Sequence, residues 1–235
     1  MTTQAPLPPP SLPDTADVAV LADYGAPLLQ ALARRETPLP PGAGDGLVAA
    51  LARIALALQA DNPAQIRQQE GWWGRLLGRD VDREAEGRAL QSQLGVLALQ
   101  AREQAQDLQQ HLQRRAMAIA GHSAAAAALD AWVELAAARL ASLDIAGQAA
   151  LSQRLDHLRR LAMLRRLEAG QWQLLQDQDN VLLQRFARIH DVLLPAWRQA
   201  AVAGQAAAGA TLAAKAATLH AQIDDEVAAA QARLP

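Results

Sequence analysis

The chain has 235 residues and a formal net charge of -2, with 51% hydrophobic and only 3% aromatic residues, and no cysteine. That balance leaves no global field drawing the chain to nucleic acid or an anionic membrane. The missing thiols exclude disulfides, thiolate nucleophiles, Cys-ligated zinc and iron–sulfur clusters. Alanine, leucine, glutamine and arginine dominate; all are strong helix formers. β-branched residues are scarce, so a sheet lacks its usual material, and the reading is all-α.

Residues 1–13 carry five prolines and cannot form a helix. They are expected to be a disordered tail, with a proline-motif docking segment as the sharper alternative. No basic, apolar signal peptide is read at Met1–Pro6. Asp14 is expected to cap a helix running to about Arg35, kinked at Gly25-Ala26-Pro27. Residues 36–46 hold three prolines and three glycines and read as a linker. Asp45 then caps a short helix ending near Ala60. Its Leu47, Leu51, Ile54 and Leu58 step by 4, 3 and 4 along one apolar face. Residues 14–60 are thus expected to form an N-terminal helical pair, and 61–235 a bundle of long helices.

The next feature is Gly71-Trp72-Trp73-Gly74-Arg75. Adjacent tryptophans point about 100° apart on a helix, so core packing is expected for one or both. Contact with a partner, or with a membrane surface flanked by Arg75 and Arg79, is the alternative. A long helix is predicted over 80–120, its stripe from Leu90 to Ile119 repeating at about 3.6 residues. Gly121-His122-Ser123 reads as a break, with Ser123 opening a shorter helix to Leu143. Asp144 is expected to cap another long helix to about 204. There Leu175, Leu182, Phe186, Ile189, Leu193 and Trp197 share one face. Pro195 removes a helix hydrogen bond and is expected to kink or end that helix, with Trp197 packed across the bend. A thinner Ala-rich helix over 210–233 completes an elongated antiparallel bundle. No transmembrane helix is predicted: the longest uncharged tract, Gln199–Ala214, is too short and weakly apolar for a bilayer.

Chemistry is sparse. The five histidines include no pair at i, i+3 or i+4, so no metal site is expected. Asp107 and His111 read as a surface pair. Asp177, Asp179 and Asn180, and Asp224-Asp225-Glu226, read as solvated faces. No phosphate-cradling glycine loop or nucleophile elbow is present. The strongest polar signal is Arg154, Arg159, Arg160, Arg165 and Arg166 within 13 residues. Arginine suits bidentate recognition of oxyanions, but these point all around the helix. Ion pairing to other helices, for instance to Glu134 or Asp156, is expected instead. Without interleaved aromatics they do not make a nucleic-acid groove.

Three stretches carry a resemblance. Leu151, Arg154, Leu155 and Leu158 are followed by Gln171, Leu174, Gln176 and Asn180, then by Leu194-Pro195-Ala196-Trp197-Arg198. In order and spacing, residues 145–200 resemble the toxic anion resistance family (TelA/KlaA-like), whose members are associated with tellurite resistance. His157 stands where that family carries Asp, and Arg198 where it carries Lys. The resemblance implies a helical, cytoplasmic, non-enzymatic protein of stress or tellurite resistance, without catalytic residues or cofactor. Exposed Ala/Leu stripes seek partners, so a protein partner or self-association is expected, with peripheral contact at the inner membrane as an extension. The candidate partner-binding residues are Trp72, Trp73, Arg154, Arg159, Arg160, Arg165, Arg166, Pro195, Trp197 and Arg198.

Overall fold

The computed structural model describes residues 6–14, 17–35, 43–60, 80–206 and 210–232. Those residues form an all-α helical bundle with no strand. The elements are α1 (Val18–Ala22), α2 (Ala26–Ala33), α3 (Gly44–Ala60), α4 (Asp80–Ala137), a 3-10 turn (Leu140–Ser142), α5 (Ile145–Ala187), a π-helical segment (Arg188–Leu193), α6 (Leu194–Ala206) and α7 (Ala210–Gln231).

Contacts divide the chain into two compact units, each discontinuous in sequence. Unit 1 takes residues 1–40 and 113–176; unit 2 takes 41–112 and 177–235. Residues 14–60, expected from sequence as one N-terminal helical pair, are divided between the two units. α1 and α2 belong to unit 1, and α3 belongs to unit 2. The reason is burial: each amphipathic segment finds its apolar complement on a different stretch of α4 and α5.

In unit 1, Leu21, Tyr24, Leu28 and Leu32 pack with Leu129, Trp132, Val133 and Ala136 of α4 and with Leu151, Leu155, Leu158 and Ala162 of α5. α1 starts later than expected. Asp17, not Asp14, is its N-cap, accepting from the Ala19 amide at 2.9 Å. Between α1 and α2 the chain turns through Gly25 at φ 79°, a left-handed conformation that glycine adopts without a Cβ clash. The Tyr24 carbonyl at this turn accepts from Arg154 Nε at 2.6 Å. Pro27 then sits in the first turn of α2, where its missing N–H costs nothing.

Residues 6–13 carry no helix, as their prolines require. Leu7 and Leu12 pack on the unit 1 core. Trp132 Nε1 donates to the Pro8 carbonyl at 3.3 Å, and the Arg139 guanidinium donates to the Pro13 carbonyl.

In unit 2 the four expected positions of α3, Leu47, Leu51, Ile54 and Leu58, are all buried. They pack with Leu94, Ala101 and Leu108 of α4, Leu182 of α5, Ile189 and Leu193 of the π-helical segment, and Ile223 and Val227 of α7.

α4 runs unbroken for 58 residues, so Gly121-His122-Ser123 is no break. A mid-helix glycine costs only about 1 kcal/mol relative to alanine, and the alanines around it offset that. The buried or half-buried positions Leu94, Ala98, Ala101, Ala105, Leu108, Leu112, Arg115, Ile119, His122, Ala126, Leu129, Val133 and Ala136 alternate strictly in steps of 4 and 3. That is a heptad period, not the straight-helix value expected. Arg115 and His122 fill two seam positions, which is why an apolar count lost the register past Leu112. α4 also contains an 18-residue window of mean hydropathy 1.2 within Ala89–Ser142, long and apolar enough to cross a bilayer by length and composition alone. Its hydropathy comes largely from alanine, and 28% of that window is buried; Leu94, Ala101 and Leu108 pack in the unit 2 core and Leu129, Val133 and Ala136 in the unit 1 core.

α5 opens as expected: Asp144 caps it by accepting from the Gly147 amide at 2.9 Å. At its far end, Leu182, Ile189 and Leu193 are buried and Phe186 and Trp197 half-buried, whereas Leu175 is exposed. Pro195 neither ends nor sharply breaks the helix. The six residues before α6 widen into a π-helical turn in which the Leu194 amide bonds to the Ile189 carbonyl. Widening is a common accommodation where an i→i−4 ladder is interrupted.

Candidate functional site

The arginine run lies on α5 in unit 1, and its members have separate engagements. Arg154 is tied to the Tyr24 carbonyl. Arg159 pairs with Asp156 one turn away at 2.8 Å, with both side chains about half exposed. Arg165 meets Glu168 at 3.0 Å, and the same carboxylate oxygen lies 3.0 Å from His122 Nδ1 of α4. Arg166 reaches across to Asp130 of α4. Arg160 is exposed and has no ion pair among the described residues. Asp156 is a partner, but within α5 itself rather than on another helix; on α4 the partner is Asp130, one helical turn before the expected Glu134. Beside this layer the Arg115 guanidinium stands 5.9 Å over the Trp172 ring. The run is therefore a set of separate engagements, two within α5, one to the α1–α2 turn and one across to α4, without convergence on one point where an oxyanion could sit.

Pro195, Trp197 and Arg198 lie in unit 2, whereas the arginine run lies in unit 1. Pro195 is exposed, while Trp197 and Arg198 are half-buried. Trp197 packs against the unit 2 core. Arg198 Nε is buried and finds no hydrogen-bond acceptor among the described residues. Nearby, the Phe186 and His190 rings are 5.2 Å apart, and His190 Nδ1 lies 2.6 Å from Asp191 Oδ1. Trp72 and Trp73 lie outside the described residues.

Two polar arrangements were not visible in sequence. Glu226, read as part of a solvated acidic knot, is largely buried and receives both Arg185 and Arg188, each at 2.8 Å. The pairing spans some forty residues, so no local spacing announces it. Its neighbour Asp224 accepts from Gln59 Nε2 at 3.4 Å and lies 3.4 Å from His220 Nε2. That last contact is an ion-pair distance without hydrogen-bond geometry, and we read it as weak. His111, expected on the surface beside Asp107, is instead 3% exposed, and Asp179 is 2% exposed.

No cluster of three or more His, Asp or Glu suited to a metal occurs among the described residues. One surface recess, about 420 Å³, lies in unit 1, lined by Ser11–Pro13, the Tyr24–Gly25 turn and Trp132. A smaller one, about 170 Å³, lies in unit 2 beside Leu182 and Arg185. Tyr24, beside the first recess, donates its hydroxyl to the Trp132 carbonyl at 2.9 Å. Burial pushes its phenol up to about 12.

Comparison with known proteins gives one distant relative. The chain is 24% identical over 198 residues to protein KlaA of Escherichia coli, covering 78% of this chain and 77% of that protein. No family model matches, and no solved structure matches.

Proposed function

We propose that this chain is a non-enzymatic protein of toxic-anion tolerance, tellurite foremost, that works as an interaction scaffold. The observation that carries the reading is the similarity to KlaA, which extends over about three-quarters of both chains rather than over one shared helix. It agrees with the residues of 145–200 that resemble the toxic anion resistance family.

The geometry supports a scaffold over direct anion capture. Four of the five clustered arginines are engaged with carboxylates or a backbone carbonyl, so binding an oxyanion there means breaking existing braces. An outward face of α5 supports a protein partner: Met163, Leu167 and Leu174 are 71%, 59% and 66% exposed and step by 4 and 7 along the helix. Exposed apolar side chains sharing one helix face are the kind of surface that interaction sites use.

The test is deletion of the gene followed by growth on graded tellurite. Complementation should restore tolerance with the wild-type chain, and less so with Trp197→Ala/Arg198→Ala or with Met163→Ser/Leu167→Ser. Unchanged tolerance on deletion removes the anion reading. Restored tolerance by every variant removes these surfaces as partner sites. Affinity capture from native lysate, with wild type beside the same variants, then identifies the partner.

A further inference from the structure

We propose that unit 1 carries a recognition groove for proline-rich peptides, occupied in this structure by the chain's own residues 6–13. The inference is independent of the reading of function above.

The groove has the parts that proline-rich recognition uses. An extended Pro-rich segment exposes carbonyls but few N–H groups, so its receptor supplies apolar surface and donors. Here the segment is Pro6-Leu7-Pro8-Pro9-Pro10-Ser11-Leu12-Pro13, containing two Pro-x-x-Pro steps. The receptor supplies two donors from the C-terminal end of α4 and just beyond it: Trp132 Nε1–H to the Pro8 carbonyl at 3.3 Å and the Arg139 guanidinium to the Pro13 carbonyl. The apolar floor is the Tyr24–Trp132 pair, with ring centroids 5.1 Å apart at 55°. The Tyr24 hydroxyl bond to the Trp132 carbonyl holds that pair.

The contacts come in two blocks. Leu7-Pro8 and Leu12-Pro13 are half-buried, while Pro9, Pro10 and Ser11 stand exposed between them. The segment is held at its ends and arches over the middle. It also leaves unfilled the recess of about 420 Å³ bounded by Ser11, Leu12, Pro13, Val20, Asp23 and Trp132. The resident segment is therefore a partial fit that prevails by tethering. Only residues 14–16 separate it from the cap of α1, and a tether this short gives it a millimolar-range effective concentration. A free ligand must match its carbonyl and Leu-Pro contacts and gain from the open recess. That describes a proline-rich segment of another protein better than a second copy of this chain, whose segment has identical contacts and no recess-filling side chain.

The probe is a fluorescent peptide of sequence Pro-Leu-Pro-Pro-Pro-Ser-Leu-Pro, titrated by anisotropy against the full chain. In the full-length Leu7→Asp/Leu12→Asp variant the resident segment is released, and saturable binding is expected. Wild type should bind at least about tenfold more weakly, because the tethered segment competes. Adding Trp132→Phe or Arg139→Gln to the released variant should weaken binding about fivefold each, the worth of one hydrogen bond. A proline-free scrambled peptide should not bind. In the unmodified chain, millimolar peptide should shift the indole N–H resonance of Trp132, a readout that needs no folded variant. The proposal is overturned if the peptide moves neither the released variant's anisotropy nor that resonance. It is equally overturned if binding is insensitive to both substitutions.

Discussion

At the scale of single residues, the Tyr24–Gly25 turn concentrates several constraints. Gly25 has φ 79°, and a Cβ there would come within 3.2 Å of Leu158. Gly25→Ala should therefore destabilise unit 1 by about 1–2 kcal/mol from backbone strain alone, measured by thermal or denaturant unfolding. The neighbouring phenol gives a pH signature. Its proton is lost near 10.0 in the unfolded chain and near 12 in the fold. The folded state thus holds the proton more tightly. The resulting stabilisation is complete below pH 10 and disappears as pH rises through 12. Tyr24→Phe should flatten that alkaline loss while costing roughly 1 kcal/mol at neutral pH for the hydrogen bond. An unfolding midpoint followed from pH 8 to 12 checks both. Glycine and proline at this turn were readable from sequence as a bend. The left-handed turn was not, because the acceptor role of the Tyr24 carbonyl depends on Arg154, far along the chain.

At the scale of elements, caps were more legible than breaks. Asp144 was recognisable because a cap acts within three residues, and its bond to the Gly147 amide is present. Asp144→Ala should cost about 1 kcal/mol. Gly147→Ala should cost more than its helix propensity suggests, since the new Cβ would sit 2.8 Å from the capping oxygen and 3.3 Å from Leu21. Comparing the two variants in urea separates cap from crowding. The apparent break at Gly121 failed for the opposite reason. Breaking a helix there would give up the seam on which both cores are built, and one glycine costs far less than that. The heptad register was hidden because Arg115 and His122 occupy seam positions. Their half of the seam is satisfied by Trp172 and Glu168 of α5, contacts that no local pattern displays. The arginine braces were half legible: Asp156 is a neighbour in sequence, whereas Asp130 is known only from packing.

At the scale of the whole molecule, all-α class followed from composition, but the division into units did not. Sequence order placed α3 with α1 and α2, and tertiary burial assigned them to separate cores. Each core should carry its own stability. Leu155→Ala and Leu51→Ala, both at fully buried positions, should each cost about 2–5 kcal/mol. Hydrogen exchange should localise them: Leu155→Ala should first expose amides of residues 113–136 and 145–176, and Leu51→Ala those of 94–108 and 219–230. Glu226→Gln belongs to the second pattern. It releases Arg185 and Arg188 from a largely buried carboxylate, and about 1–2 kcal/mol of loss is expected after discounting the exposure of the arginines.

The discontinuity of unit 2 has a consequence for the nascent chain. α3 carries Leu47, Leu51, Ile54 and Leu58 on one face, and that core is closed in part by Ile223 and Val227 near the other end of the sequence. The ribosome makes about 5–20 residues per second, so the α3 face waits roughly ten seconds or longer before its last partners have been made. During that interval its leucine stripe is incompletely covered, a surface of the kind chaperones hold. Ribosome profiling with a captured chaperone should show engagement beginning soon after α3 leaves the exit tunnel and ending only after α7 emerges.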